Sequence, residues 1–216
     1  MPRTAGTCGS GRHVRPGRPD VAVTLVARHG TVRLPTGQRF DGYTLNGTSP
    51  GPVIRARQGD LVQVRLANAN VADGVTLHWH GVDVPNAEDG VAGVTQNAVP
   101  AGGTFTYRFV ARQAGTYWYH AHQVAHEQVR AGLFGMLVVT PAVPAGTERD
   151  VLAPVHTYAG YRTVAGRTGV THVDADPGST VRVRLADTDD GTVRAWVSGG
   201  TYRVVAVDGH DVDGPT

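Results

Sequence analysis

The 216-residue chain has no lysine, one isoleucine (Ile54) and one cysteine (Cys8). A single thiol excludes a disulfide within the chain, and no Cys-x-x-Cys motif exists. No apolar run approaches the roughly 20 residues that a membrane-spanning helix needs. The N-terminal stretch lacks an apolar core segment, so no secretory signal peptide is expected there. All 20 basic residues are arginine, which reads as a compositional habit, not as function. Acidic and basic charge are nearly balanced, but unevenly spread. Residues 1–18 carry Arg3, Arg12, Arg15 and Arg18 and no acid, whereas the rest sets 16 arginines against 18 acids. The body is therefore slightly acidic and offers no nucleic-acid footprint. The basic start reads as a solvated, flexible leader.

What is abundant is turn and strand chemistry. There are 29 glycines and 13 prolines, and Val, Thr and Tyr recur between them, which favours an all-β chain with many turns. After the leader (1–19), Val21–Arg28 reads as a first strand, and Arg33–Tyr43 as a loop with a short strand. Asn46-Gly47 and Pro50-Gly51-Pro52 mark tight bends before a strand at Val53–Ala56. Leu61–Asn68 alternates strictly, with Val62, Val64, Leu66 and Asn68 on the buried side. Thr104–Val110 alternates with Phe105, Tyr107 and Phe109 on one face. Gln123–Gly132 has room for a helical turn, and Leu133–Val139 is a closing apolar strand. The segment 141–148 reads as a linker. Beyond it, Val151–Tyr158, Thr180–Leu185 and Tyr202–Val207 read as strands. In the second of these, Val181, Val183 and Leu185 are expected inward and Arg182 and Arg184 outward. This last segment, 149–216, has few strands for a closed sandwich and reads as an incomplete β-domain, with the chain a fragment or truncated product.

Two stretches carry the chemistry, Leu77-His78-Trp79-His80-Gly81 and Gly115-Thr116-Tyr117-Trp118-Tyr119-His120-Ala121-His122. Alternate residues of a strand share a face. His78 and His80 therefore point with Thr76, away from Leu77 and Trp79. His120 and His122 point with Trp118, away from Tyr117, Tyr119 and Ala121. If the two strands are neighbours, four imidazoles meet in one volume, and imidazole suits copper, zinc, iron and nickel. The loop 82–100 between them is longer than most connections in a compact domain, which points to function.

The order and spacing of Leu45-Asn46-Gly47, Pro50-Gly51-Pro52-Val53-Ile54, Gly59-Asp60, the two histidine motifs, Asp89-Gly90-Val91, Thr95-Gln96 and Gly132-Leu133-Phe134-Gly135 resemble the first cupredoxin domain of the multicopper oxidases (laccase-like enzymes). Val204-Val205-Ala206-Val207-Asp208-Gly209-His210 is similar to part of that family's second domain. The resemblance implies a cupredoxin-like Greek-key β-sandwich over 20–140, then a partial second cupredoxin domain over 149–216. It implies an oxidoreductase that couples one-electron oxidation of a reducing substrate to reduction of dioxygen to water. By position, His78 would bind the type 2 copper, and His80, His120 and His122 the type 3 pair. Asp89 matches the family's proton-relaying acid. Read from its residues alone, Asp89 is equally a plain loop carboxylate.

The departures count too. The later His-x-His pairs and the His-Cys-His bridge of the family lie outside this sequence. Cys8 has no His or Met at type 1 spacing, so no type 1 copper is expected here. Four histidines are half of a trinuclear cluster, and the chain alone is not expected to turn over. The other half would come from a further cupredoxin domain, in cis or from another chain. The family is typically exported, which implies an extracytoplasmic setting.

Other residues read as structural. Trp79 and Trp118 are core and pocket-wall residues, and Met136 is core. Gln96 and Glu127 are loop hydrogen-bonders, and His126 is exposed or capping. His13, His29, His156, His172 and His210 are surface or hydrogen-bonded residues. A non-catalytic copper-binding or partner-binding cupredoxin module is the alternative reading. A zinc hydrolase built on His78, His80 and Asp83 fits less well, because its spacing departs from that of the known His-rich hydrolase sites and the chain lacks their helices.

Overall fold

The computed structural model describes residues 16–143 and 149–212. Cys8, most of the expected leader and most of the expected linker lie outside the described residues. The first eight strands are β1 (Val21–Arg33), β2 (Arg39–Leu45), β3 (Ile54–Arg57), β4 (Leu61–Asn68), β5 (Leu77–His80), β6 (Thr104–Val110), β7 (Gly115–Ala121) and β8 (Phe134–Thr140). They form two four-stranded sheets, ordered β2-β1-β4-β6 and β3-β8-β7-β5. β1 and β4 pair in parallel, as do β3 and β8, while the remaining neighbours are antiparallel.

The sheets close on one apolar core because each strand alternates. Val62, Val64 and Leu66 of β4 and Tyr107 and Phe109 of β6 face Leu77 and Trp79 of β5, Tyr117 and Tyr119 of β7, and Leu137 and Val139 of β8. Asn68, at the buried end of β4, satisfies its amide on the Val71 and Val99 carbonyls and the Val71 N–H. A buried amide left without such partners would be costly. The all-β sandwich expected from the alternation is what forms.

β8 is buried on both faces, as its unbroken apolar run requires. Its outer face carries Phe134, Met136 and Val138. Against that side lie β9 (Arg149–Tyr158) and β11 (Val181–Asp187), which form a three-stranded sheet with β10 (Tyr161–Val164), ordered β10-β9-β11. Phe134 stacks on His156 and Tyr158 of β9, with ring centroids 4.4 and 6.1 Å away. His156 is fully buried, with Nε2 3.2 Å from the Arg130 carbonyl and Nδ1 2.9 Å from Thr188 Oγ1. Burial lowers its proton affinity, against the opposing pull of Arg130, Asp189 and Thr188. A short hairpin of β12 (Ala206–Val207) and β13 (His210–Asp211) follows.

Two expectations for this second region are overturned. In β11 the faces are reversed: Arg184 is buried, whereas Val181, Val183 and Leu185 are 39%, 59% and 47% exposed. The reason is the neighbour, not the alternation. Arg184 turns toward the first sandwich, where Nη1 donates to Thr116 Oγ1 at 2.8 Å and Nε lies 3.0 Å from Asp150 Oδ1. These oxygens replace the water that the guanidinium gives up. Among the described residues, no layer covers the Val183 side. Secondly, the expected strand Tyr202–Val207 is reduced to Ala206–Val207, which pair in register with Asp211 and His210 of β13.

Candidate metal centre

β5 and β7 are antiparallel neighbours, and their register sets His78 opposite His120 and His80 opposite Trp118. Directly opposed residues have Cβ atoms only about 5 Å apart. The register therefore does what neither motif could do alone. The ring centroid of His78 lies 6.0 Å from that of His80, 5.3 Å from His120 and 5.2 Å from His122. His80 and His120 are 5.6 Å apart, and His120 and His122 5.9 Å. One ring nitrogen from each of His78, His80 and His120 falls within 4.8 Å of the others, a spacing that could hold a metal ion. His122 stands beside this trio without joining its tightest grouping.

Backbone and loop contacts orient two of these rings. His78 Nδ1 is 2.9 Å from the Asp89 carbonyl and 3.1 Å from Asp89 Oδ1. Both oxygens accept, so Nδ1 donates to them and Nε2 is the ring nitrogen left to face a ligand. His120 Nδ1 donates to the Ala121 carbonyl at 2.8 Å, which again leaves Nε2 as the free donor atom. That nitrogen sits 3.4 Å from His80 Nδ1. Burial is the main cause that pushes His120 down to about pKa 4, and its three histidine neighbours add to it, while the Ala121 carbonyl opposes. Burial and the His78 charge also lower His80, with Asp208 opposing. A metal-ligating imidazole must be neutral. Desolvation and mutual repulsion keep His120 in that form at neutral pH. Several imidazoles converging on one volume fit copper well.

Asp89 reaches His78 because the loop after β5 is pinned at three points. Residues Asn86–Glu88 form a 3-10 turn. The Glu88 carbonyl accepts from Trp79 Nε1 at 3.0 Å, and Glu88 Oε2 accepts from the Arg108 N–H at 2.7 Å. Gly90 follows in a left-handed conformation (φ +73), where a Cβ would lie 1.7 Å from the Leu77 carbonyl oxygen. Only glycine fits there. Gly90→Ala should drive the loop off β5, remove the Asp89 contact from His78 and cost at least about 1–3 kcal/mol. Urea unfolding checks the stability, and loss of the Asp89–His78 contact is visible by NMR.

Gly90 and Asp208 lie inside motifs that carry the family resemblance but had no role of their own there, and Glu88 lies in none. Its full burial arises because the loop folds back over Trp79 toward β6. Of the residues expected to be structural, Trp79 and Met136 are core, and Trp118 walls the histidine cluster. His126 is exposed and pairs with Asp190. His29, His172 and His210 are exposed.

Comparison with known proteins agrees with this geometry. Residues 27–143 match the family model described as "Multicopper oxidase". L-ascorbate oxidase of Cucumis sativus is 50% identical over 100 residues, covering 45% of this chain and 16% of that protein. Laccase-1 of Botryotinia fuckeliana is 33% identical over 192 residues, covering 76% of this chain and 34% of that one. The chain thus spans about a third or less of the length of these relatives. Among solved structures, a multi-copper oxidase from Pseudomonas Thermotolerans superposes with a TM-score of 0.83 at 30% identity, over 89% of this chain and 52% of that one. The blue copper oxidase from Nitrosomonas europaea gives 0.81 at 26% identity, over 90% and 69%. The two sheets resemble the cupredoxin domains of these enzymes. With more than half of its residues matched to the family model, and with the matched stretch carrying both His-x-His strands, the chain belongs to the multicopper oxidase family.

Proposed function

We propose that this chain is the part of a multicopper oxidase that supplies half of the ligands of a trinuclear copper cluster. The carrying observation is that imidazoles from two adjacent strands converge on one face of the sheet, with His80 at the exposed edge. His78 is read as the type 2 ligand, and His80, His120 and His122 as type 3 ligands. When bound, the cluster supplies the one-electron steps that reduce dioxygen to water. The remaining ligands, and the type 1 copper that receives electrons from a reducing substrate, belong to a further cupredoxin domain, in cis or from another chain. Residues 149–216 are read as part of a second cupredoxin domain packed on the first. This activity is read as extracytoplasmic, a setting that the family resemblance supports.

The chain's own residues do three things in this reading. The imidazoles bind through ring nitrogens, and in His120 burial already holds the ring neutral. Asp89 holds the His78 ring through Nδ1 and so directs Nε2 toward the cluster, as outer partners of metal-bound histidines do. The same carboxylate, 30% exposed, is placed to pass protons from solvent toward the site, which oxygen reduction consumes.

Asp89→Asn tests the relay. It keeps a carbonyl oxygen near His78 but removes the ionisable group. Copper uptake by the chain should stay near the wild-type level, while oxygen consumption by the intact oxidase falls by about 10²–10⁴-fold, the range for a positioned acid–base group. A normal turnover rate would remove Asp89 from the mechanism. Failure of the wild-type chain to take up Cu(II), measured by elemental analysis, would remove the copper assignment itself.

A further inference from the structure

Metal-bound histidines are held in orientation by a partner on the ring nitrogen that does not face the metal, usually a carboxylate, carbonyl or water. His78 has Asp89 and His120 has the Ala121 carbonyl. His80 is different. Among the described residues, its only hydrogen-bond contact is the 3.4 Å approach to His120 Nε2, within the cluster itself. The χ2 torsion of histidine is broad and does not fix the ring plane unaided. Something else has to hold His80.

That role falls to Trp118. The register sets it directly across from His80, and it precedes His120 by two residues on the same face of β7. Its indole lies 4.8 Å from the His80 ring at 31° and 4.3 Å from the His120 ring at 30°. The two imidazoles are less well aligned with each other, at 5.6 Å and 48°. One indole plane thus lies against both. Phe134, Val32, Leu34 and Tyr158 form the apolar cluster against which Trp118 packs. This cluster braces the indole, and a braced plane can brace others.

We infer that Trp118 is a positioning residue of the copper site: by stacking, it holds His80 and His120 in the ring orientation that aims His80 Nδ1 and His120 Nε2 at a common point. This rests on the copper reading proposed above. Trp118 touches neither metal nor substrate in this assignment, and it acts through the two rings. The device suits its place. His80 is exposed, and a hydrogen bond to an exposed ring competes with water, whereas an aromatic face does not.

The test uses the full chain and three variants, with Cu(II) ions competed against a chromophoric chelator. Trp118→Leu should weaken Cu(II) binding by about 10–100-fold, the usual loss when an outer partner is removed, and should change the copper hyperfine pattern in the EPR spectrum. Trp118→Phe keeps a flat ring and should restore both toward wild type. In the metal-free wild-type chain, NMR should show one His80 ring orientation, with contacts from the ring protons to the indole. Wild-type affinity in Trp118→Leu would overturn the assignment. So would a wild-type His80 ring that averages between flipped orientations, a readout that stands even where the leucine variant fails to fold. His80→Ala separates the two readings. If it binds Cu(II) as well as wild type, the copper site is wrong, whereas if it loses binding and Trp118→Leu does not, only the role of Trp118 falls.

Discussion

Replacing Trp79 with alanine is expected to cost about 3–5 kcal/mol, the range for removing a large aromatic from a packed core. Its indole is 1% exposed and meets Tyr107, Phe109 and Tyr119 at ring separations of 5.5, 4.8 and 5.9 Å. Domains of this kind are stable by only about 5–15 kcal/mol, so the loss is a large fraction of the total. A second consequence sets Trp79 apart from other core aromatics. Its Nε1–H is bonded to the Glu88 carbonyl, and the turn that contains Glu88 delivers Asp89 to His78. Trp79→Phe should therefore recover most of the packing yet still loosen the Asp89 loop. Urea midpoints measure the first effect. Hydrogen exchange over residues 86–90 measures the second. Equal protection of that loop in wild type and Trp79→Phe would show that the indole bond does not hold it.

His120→Ala should give the largest loss of copper among single histidine changes. Removing an outer partner of a metal-bound histidine costs about 10–100-fold in affinity, and removal of a ligand should cost no less. His120 is the most buried of the four, with 7% exposure, and its ring lies within 5.3–5.9 Å of the other three. Its burial also keeps it neutral, so no proton has to leave when the metal arrives. His122→Ala should cost less, since that ring stands outside the tightest grouping. Competition titration with Cu(II) checks the order. A larger loss for His122→Ala than for His120→Ala would mean that the metal sits elsewhere on the face.

The alternation of β4 foretold the burial of Val62, Val64, Leu66 and Asn68, because a strand inside a two-sheet sandwich has one solvent side and one core side, although Leu61 at the strand's start is buried as well. The same rule paired His78 with His80 and His120 with His122 on faces opposite Trp79 and Tyr119. β11 defeated it. There an arginine finds better partners, Asp150 and Thr116, on the neighbouring sheet than in water, and the valines are left outside. Pairing patterns carry no record of what lies across a face.

Local spacing was enough to identify two His-x-His strands, an all-β chain and a family. It could not place the strands side by side, choose the register that sets His78 against His120, or bury Glu88. Those depend on contacts between residues far apart in sequence: β5 meets β7 across some 40 positions, and Gly90 fits against Leu77 only once the loop has closed. The identity of each donor group is written in the chain. The volume where the donors meet is created only when the sheet assembles, because a backbone pairing fixes side-chain positions to within the width of one strand.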